Sequence, residues 1–306
     1  MTGDQPRMHP DETETSPALA RRLMAAQFPQ WAGLPLKRLR SSGTVNAIYR
    51  LGDDMVVRLP LIHWGKDDAV KEAYWLPRLA PLLPLAIPVP LAVGQPGGGY
   101  PFAWSIHRWL DGEEATLESV ADESQLALDL AAFISALQET APPKQTSTEL
   151  LSAYGQDFLS RMDDFTRAST AACEGMFDTA LAAHLWQDAL MLPAWSGLPV
   201  LLHGDMQSGN LLAQQGRLSA VIDFGALGLG DPAVDLKVAW GMLTAAGRQT
   251  FRAALRVDDD TWARGRAWAL AKGVQAVGYY RVSNPVFFER SLSAVTEVLG
   301  EYRQET

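Results

Sequence analysis

The chain has 306 residues, about twice the length of a typical single domain, so two lobes or one large domain are expected. Hydrophobic residues make up 47% of the chain and charged residues 20%, which excludes disorder for the bulk of it. The net charge of -9 disfavours nucleic acid as a partner, because proteins that bind a phosphate backbone need clustered cations.

Three further features indicate the compartment. Cys173 is the one cysteine, so we expect a buried thiol in a reducing environment. Residues 1–17 are polar and acidic, without the pattern of a secretory signal, and are predicted to be a flexible tail. The most apolar stretch, 79–93, is interrupted by prolines and falls short of the roughly 20 residues of a membrane span. We expect a cytoplasmic protein without membrane contact.

The first third of the chain has the pattern of an antiparallel β lobe with one helix. The turn residues Gly52–Asp54 separate two β-rich runs, which predicts a hairpin. A helix is predicted over 67–80, with its inward face formed by Val70, Ala73, Leu76 and Leu79. The predicted strands of this part are 44–51, 55–59, 89–94 and 101–109.

Helical periodicity dominates the rest of the chain. An apolar stripe on a helix is predicted for Leu126, Leu130, Phe133, Ile134 and Leu137. Further helices are predicted at 180–191, 233–245 and 262–282, and short strands at 199–202 and 218–224. The composition changes near 109–112, so we divide the chain into an N-terminal lobe, 1–109, and a larger, mostly helical lobe, 110–306.

The strongest chemical signal is the run His203–Asn210, which has the spacing His-x-Asp-x-x-x-x-Asn of a kinase catalytic loop. Asp223 follows Asn210 by thirteen residues, within Ile-Asp-Phe-Gly. Phosphoryl transfer needs a carboxylate beside the acceptor hydroxyl and oxygen ligands for Mg²⁺ near the nucleotide phosphates. We therefore predict Asp205 and His203 as catalytic residues and Asn210 and Asp223 as metal ligands.

Taken singly, these residues have plainer explanations. His203 could be a hydrogen-bonded core histidine, and Asp205 and Asn210 could satisfy the backbone of a turn. The second motif at the matching distance, after a β lobe, favours the functional interpretation.

With these motifs the chain resembles the aminoglycoside phosphotransferase-like family of small-molecule kinases over residues 35–300. Gly204 replaces the Arg of the protein-kinase pattern, and Asp231-Pro232-Ala233-Val234-Asp235 follows the metal motif, as in that family. The resemblance implies an α+β, bilobal protein-kinase-like fold, with 1–109 as the nucleotide-binding lobe. It further implies ATP or GTP together with Mg²⁺, and a monomer or homodimer.

The resemblance also assigns nucleotide contacts, which are Ser42, Gly43, Thr44 and Asn46 in a phosphate loop, Arg58 with Glu72, and the hinge backbone between Arg108 and Leu110. Arg58 stands where a kinase has its strand lysine, and this departure bears on ATP affinity. An exposed arginine at a strand end is the alternative.

Asp231 and Asp235 follow the metal motif without being expected as metal ligands. Asp231 precedes Pro232 and is predicted to cap a helix. Asp235 either holds the catalytic loop, as the resemblance implies, or is a solvated acid of the first turn.

The acceptor is indicated only by charge and aromatic content. Residues 1–111 carry 12 basic and 10 acidic side chains, whereas 112–306 carry 14 and 25. Surplus acids such as Asp157, Asp163, Asp164 and Asp258–Asp260 suggest a cationic acceptor, or else are ordinary solvated helix faces. An apolar acceptor pocket could instead be lined by Trp186, Trp195, Trp240, Trp262 and Trp268, or these residues pack in the core.

The predicted activity is transfer of the γ-phosphoryl group of ATP or GTP to a hydroxyl of a small molecule, an aminoglycoside-type or other antibiotic. The alternatives are a metabolic kinase acting on an amino alcohol or a sugar, and a non-catalytic nucleotide-binding module.

Overall fold

This computed structural model describes residues 11–39, 45–140, 151–155 and 157–305. The chain forms two compact units, each built from three separate stretches of the sequence. The β unit consists of Met1–Pro81, Ala86–Asp111 and Ala220–Gly225, and the helical unit of Leu82–Leu85, Gly112–Ser219 and Ala226–Thr306. None of the described helices combines the length and the apolarity that crossing a bilayer requires.

The β unit contains one antiparallel sheet of five strands in the order β1-β2-β3-β5-β4. Its elements are α1 (Pro17–Gln27), β1 (Leu36–Arg38), β2 (Asn46–Leu51), β3 (Met55–Pro60), α2 (Asp68–Leu79), β4 (Pro90–Gly94) and β5 (Trp104–Arg108). The predicted hairpin is confirmed, since Leu51 pairs with Met55 across a turn in which Gly52 has a φ of +59°.

Alternate side chains of the sheet form the core of the β unit. Tyr49, Val57, Leu59 and Ile106 are fully buried there, as the period of two of a strand requires. Residues 11–16 of the predicted tail are described as well. The Thr13 N–H donates to the carbonyl oxygen of Leu61, just after β3, at 2.6 Å.

The buried face of α2 matches the predicted one only in part. Val70 is 43% exposed and Ala73 is half-buried, whereas Lys71 and Glu72 are buried with Trp75. The two charged side chains are buried because they bond to partners within the β unit. Leu76 and Leu79 of the predicted face are buried, so apolar periodicity placed half of the inward face correctly and missed Lys71, Glu72 and Trp75.

The helical unit holds most of the helices and two small sheets. Its elements are β6 (Glu113–Glu114), α3 (Glu123–Glu139), β7 (Ser152–Tyr154), α4 (Phe158–Arg161), α5 (Asp163–Ala172), α6 (Thr179–Leu190), β8 (Val200–Leu202), β9 (Leu211–Gln214), β10 (Arg217–Val221), β11 (Gly228–Gly230), α7 (Val238–Met242), α8 (Ala245–Leu255), α9 (Asp259–Tyr280) and α10 (Pro285–Glu305). Their strand orders are β10-β9-β6 and β7-β11-β8, and the last residues of β10 belong to the β unit.

The predicted stripe of α3 is buried, as is Cys173. The helix predicted over 233–245 is instead a 3-10 helix, Pro232–Lys237, followed by the short α7, which ends because Leu243 is extended. The strand predicted to reach residue 224 ends at Val221, because Asp223 has a left-handed φ of +65°.

Candidate active site

The loop after β8 is anchored by one buried carboxylate. Asp235 accepts hydrogen bonds from the N–H groups of His203 and Gly204, both at 2.8 Å, and is fully buried. Burial raises the pKa of Asp235, although the two donors oppose the shift. The His203 ring is also buried, and its Nδ1 accepts the Asp205 N–H at 3.2 Å. Asp235 is therefore not a solvated acid, and both side chains hold the loop in shape.

Gly204 cannot be replaced without moving its neighbours. Its φ is +79°, and a Cβ there would lie 2.3 Å from both the Ala226 carbonyl oxygen and the Tyr154 hydroxyl. Tyr154 donates to that same carbonyl at 2.9 Å. The loop therefore needs glycine immediately before Asp205.

The Asp205 carboxylate accepts hydrogen bonds from three side-chain nitrogens. Lys237 Nζ is 2.8 Å from Oδ1, while Gln207 Nε2 and Asn210 Nδ2 donate to Oδ2 at 2.8 Å and 3.1 Å. Burial acts to raise the pKa of Asp205, but Lys237 and other cationic neighbours outweigh it and lower the pKa to about 2. Such a carboxylate stays ionised at neutral pH and is a weak base, suited to orienting a hydroxyl.

Asn210 presents an oxygen of the kind that a hard cation requires. Its Nδ2 is committed to Asp205, through the backbone oxygen at 2.8 Å and through Oδ2. Because no described residue donates to Oδ1 of Asn210, that oxygen is the available ligand atom. An amide oxygen fits Mg²⁺, which takes few protein ligands and keeps several waters.

In the β unit, Arg58 joins two carboxylates. Its Nη1 donates to both Glu72 oxygens, at 3.0 Å and 2.9 Å, and its Nη2 to Asp223 Oδ1 at 2.7 Å. Burial alone would lower the pKa of Arg58, but Glu72 and Asp223 outweigh it and raise that pKa. Arg58 is buried, so the alternative of an exposed arginine is wrong.

Asp223 combines a left-handed backbone with a partly open carboxylate. Its φ is +65°, a conformation that aspartate tolerates better than most residues. The side chain is 34% exposed, and Arg58 occupies only Oδ1. The second oxygen is thus available to a cation, and a carboxylate oxygen is a ligand of the kind that Mg²⁺ takes.

His107 is a polar residue of this cluster that sequence reasoning missed. Its Nδ1 donates to the Pro88 carbonyl at 2.7 Å, so its Nε2 accepts from the Ser105 hydroxyl at 2.8 Å. Burial lowers the pKa of His107 to about 3, so the ring is neutral and its 3.6 Å approach to Glu72 is not an ion pair. The available signal was the polar pair Ser105 and His107 on one face of a strand whose other face carries Trp104 and Ile106.

The remaining predicted nucleotide contacts are only partly described. Ser42, Gly43 and Thr44 lie outside the described residues. Asn46 begins β2, Arg108 ends β5 with an exposed side chain, and Leu110 follows it. Their roles stay predictions.

One cavity of about 610 Å³ lies in the helical unit. Trp195, Leu229 and the exposed Asp157 line it, as does Tyr154, which also contacts Gly204 of the catalytic loop. The other four candidate tryptophans are buried in the core: Trp186, Trp240, Trp262 and Trp268. Among these candidates only Trp195 is thus left for a pocket role.

Several of the surplus acids have structural duties. Asp163 accepts from Arg167 Nε at 2.6 Å and from Trp186 Nε1 at 2.8 Å. Asp258 caps α9 by accepting the Thr261 N–H at 2.6 Å. Part of the acidic excess of the helical unit is therefore explained by acids that cap helices or accept hydrogen bonds from an arginine or a tryptophan.

A sequence model of the phosphotransferase enzyme family matches residues 37–268. Structures with the same fold include the GDP and kanamycin complex of APH(2")-IIia, at a TM-score of 0.73 and 20% identity, covering 92% of this chain and 98% of that one. The GDP complex of an aminoglycoside 2'-phosphotransferase-IIIa has a TM-score of 0.71 and 20% identity, covering 94% and 100%.

An apoenzyme structure of a macrolide 2'-phosphotransferase from Brachybacterium faecium has a TM-score of 0.61 and 19% identity, with 92% and 98% covered. No curated protein sequence matches the chain. The α+β, protein-kinase-like fold class expected from the sequence is confirmed, and with it a phosphotransferase. The chain belongs to the phosphotransferase enzyme family.

Proposed function

We propose that this phosphotransferase moves the terminal phosphoryl group of ATP or GTP to a hydroxyl of an antibiotic-type small molecule. The observation that carries the proposal is the state of Asp205, an ionised carboxylate fixed by Lys237, Gln207 and Asn210. A carboxylate so fixed orients an acceptor hydroxyl, and positioning is the main requirement of phosphoryl transfer.

In this mechanism Asp205 accepts a hydrogen bond from the acceptor hydroxyl and aims its oxygen at the terminal phosphorus. Because the pKa of Asp205 is about 2, the hydroxyl proton leaves late, after the new bond to phosphorus has largely formed. Arg58 holds Asp223 through Nη2, and the positive charge of its guanidinium group steadies the nucleotide phosphates. His203 and Asp235, which are both fully buried, keep the loop in shape.

Asn210 and Asp223 would hold Mg²⁺, each through one oxygen that the protein leaves available. The ion supplies neutralisation of phosphate charge when bound. Either ATP or GTP is proposed as the phosphoryl donor, because structural neighbours form complexes with GDP and with ATP.

The acceptor is proposed to be of antibiotic size. A cavity of about 610 Å³ falls in the range that encloses drug-sized ligands and exceeds the need of an amino alcohol. Its wall is continuous with the catalytic loop through Tyr154. Kanamycin in one neighbour and the macrolide activity named for another support aminoglycosides and macrolides as the first acceptors to test.

The test is a coupled assay of nucleoside-diphosphate release over aminoglycosides, macrolides, amino alcohols and sugars, with ATP and with GTP. The matched control is Asp205→Asn, which keeps the size of the side chain and removes its charge. We expect turnover with an antibiotic to fall by at least about 100-fold in that variant, while nucleotide binding persists. Equal turnover in both proteins, or turnover with amino alcohols alone, contradicts the proposal.

A further inference from the structure

Besides Arg58 on β3, the β unit has a buried cation that the proposed mechanism does not use, Lys71, which precedes Glu72 on α2. Lys71 Nζ donates to the Gly225 carbonyl and lies 3.2 Å from Asp68 Oδ1. The side chain of Lys71 is only 6% exposed. The Asp68 carboxylate also packs on Gly225, because a Cβ at that glycine would lie 2.7 Å from Asp68 Oδ2.

Packing alone does not explain a lysine at this position. Burying an ammonium is costly unless it is paired, and an apolar residue of similar length would fill the space without that cost. Both polar partners of Lys71 are specific: one is a carboxylate on its own helix turn, and the other is a carbonyl two residues beyond Asp223. What the contact fixes is the backbone of the segment that carries Asp223.

Adjacent residues of α2 thus hold two parts of the same segment. Glu72 holds Arg58, which binds the Asp223 carboxylate, and Lys71 binds the backbone at Gly225. Side-chain and backbone restraints together determine where the open oxygen of a left-handed aspartate points. Groups behind a metal ligand commonly set its orientation in this way.

We infer that Lys71 is a positioning residue for the metal-ligating carboxylate of Asp223, acting through the Gly225 carbonyl. The inference rests on the proposed function, in which Asp223 binds Mg²⁺. A lysine that only stabilised the fold would change the free energy of unfolding and leave the response of nucleotide binding to Mg²⁺ unchanged.

The test is titration calorimetry of nucleotide binding to the full chain, at a series of Mg²⁺ concentrations and without metal. The variant is Lys71→Met, and the matched control is Lys66→Met, which makes the same change at an exposed position of the β unit. We expect Lys71→Met to raise the half-saturating Mg²⁺ concentration by about ten-fold and to change metal-free nucleotide affinity by less than about two-fold. Lys66→Met should behave as wild type, and Lys71→Arg should recover part of the loss, because it can still donate to Gly225.

Should Lys71→Met not fold, Lys71→Ala decides the question, since it also removes the donor to the Gly225 carbonyl. Asp223→Asn serves as the reference for a lost ligand. If Asp223→Asn loses the Mg²⁺ response and a folded Lys71→Met or Lys71→Ala variant keeps it, the inference is wrong and the proposed function stands. If Asp223→Asn responds to Mg²⁺ like wild type, the metal role of Asp223 fails, and the inference fails with it.

Discussion

Lys237 binds Asp205 directly, with Nζ 2.8 Å from Oδ1, and its side chain is only 9% exposed. Two residues earlier in the same 3-10 helix, Asp235 holds the backbone at the start of the catalytic loop. One six-residue segment therefore fixes both the path of the loop and the carboxylate that the loop presents.

For Lys237, we predict that substitution by methionine lowers kcat by about ten-fold or more and changes the KM for nucleotide little, because Asp205 loses the donor that fixes Oδ1. Steady-state kinetics with saturating nucleotide measure the effect. Lys237→Arg, which retains a donor, should keep more of the activity. A kcat in Lys237→Met equal to that of wild type would show that the carboxylate needs no such restraint.

For Arg58, we predict that methionine destabilises the protein by about 3 kcal/mol or more, because two buried or half-buried carboxylates lose their common partner. Urea unfolding gives the free energy. The control is Arg22→Met, which removes an exposed arginine and should cost less than about 0.5 kcal/mol. Arg58→Lys should also be costly, since a single ammonium cannot present two fixed edges to Glu72 and Asp223. Equal stability of all three variants would contradict the prediction.

Asp68 makes stability depend on pH. Burial raises its pKa to about 7, and Glu72 and Asp223 add to the shift while Lys71 opposes it. The folded state therefore keeps a proton that the unfolded state releases near pH 4, and this contribution to stability is lost as the pH rises to about 7. Relative to Asp68→Asn, we expect the free energy of unfolding of the wild type to fall by up to about 1.4 kcal/mol per pH unit across that range. Urea unfolding at several pH values measures both proteins, and parallel curves would refute the shift.

Trp195 and Trp186 form a matched pair for testing the cavity. Trp195 lines the cavity and is half-buried, whereas Trp186 is fully buried with its Nε1 bonded to Asp163. We expect Trp195→Ala to raise the KM for the acceptor several-fold with little loss of stability, and Trp186→Ala to cost about 3–5 kcal/mol. Acceptor kinetics and thermal unfolding give the two readouts. An unchanged acceptor KM in Trp195→Ala would remove the cavity from the acceptor site.

Local patterns predicted more of the fold than of the polar contacts. The hairpin and the buried stripe of α3 follow from periodicity, and both are present in the structure. On α2 the same periodicity accounts for the buried Leu76 and Leu79. The burial of Lys71 and Glu72 could not be predicted this way, because it depends on partners elsewhere in the chain, at Gly225 and Arg58.

The candidate site shows the same division. The spacing within His203–Asn210 predicted Asp205 and Asn210 as site residues, and the structure brings the two side chains into one hydrogen-bonded cluster. Nothing in the sequence indicated that Lys237 belongs to the site, since a lysine at the end of a short helix is ordinarily exposed to solvent. Its contact with Asp205 spans 32 residues and depends on how the chain returns to the loop.

Gly204 separates this loop from that of a protein kinase, where an arginine stands. Its left-handed φ and the two oxygens that a Cβ would meet make the difference one of backbone path as well as of side chain. An arginine could enter only if the Tyr154 ring and the Ala226 carbonyl moved together. In this chain an arginine at position 204 would therefore need compensating changes at Tyr154 and in the backbone at Ala226.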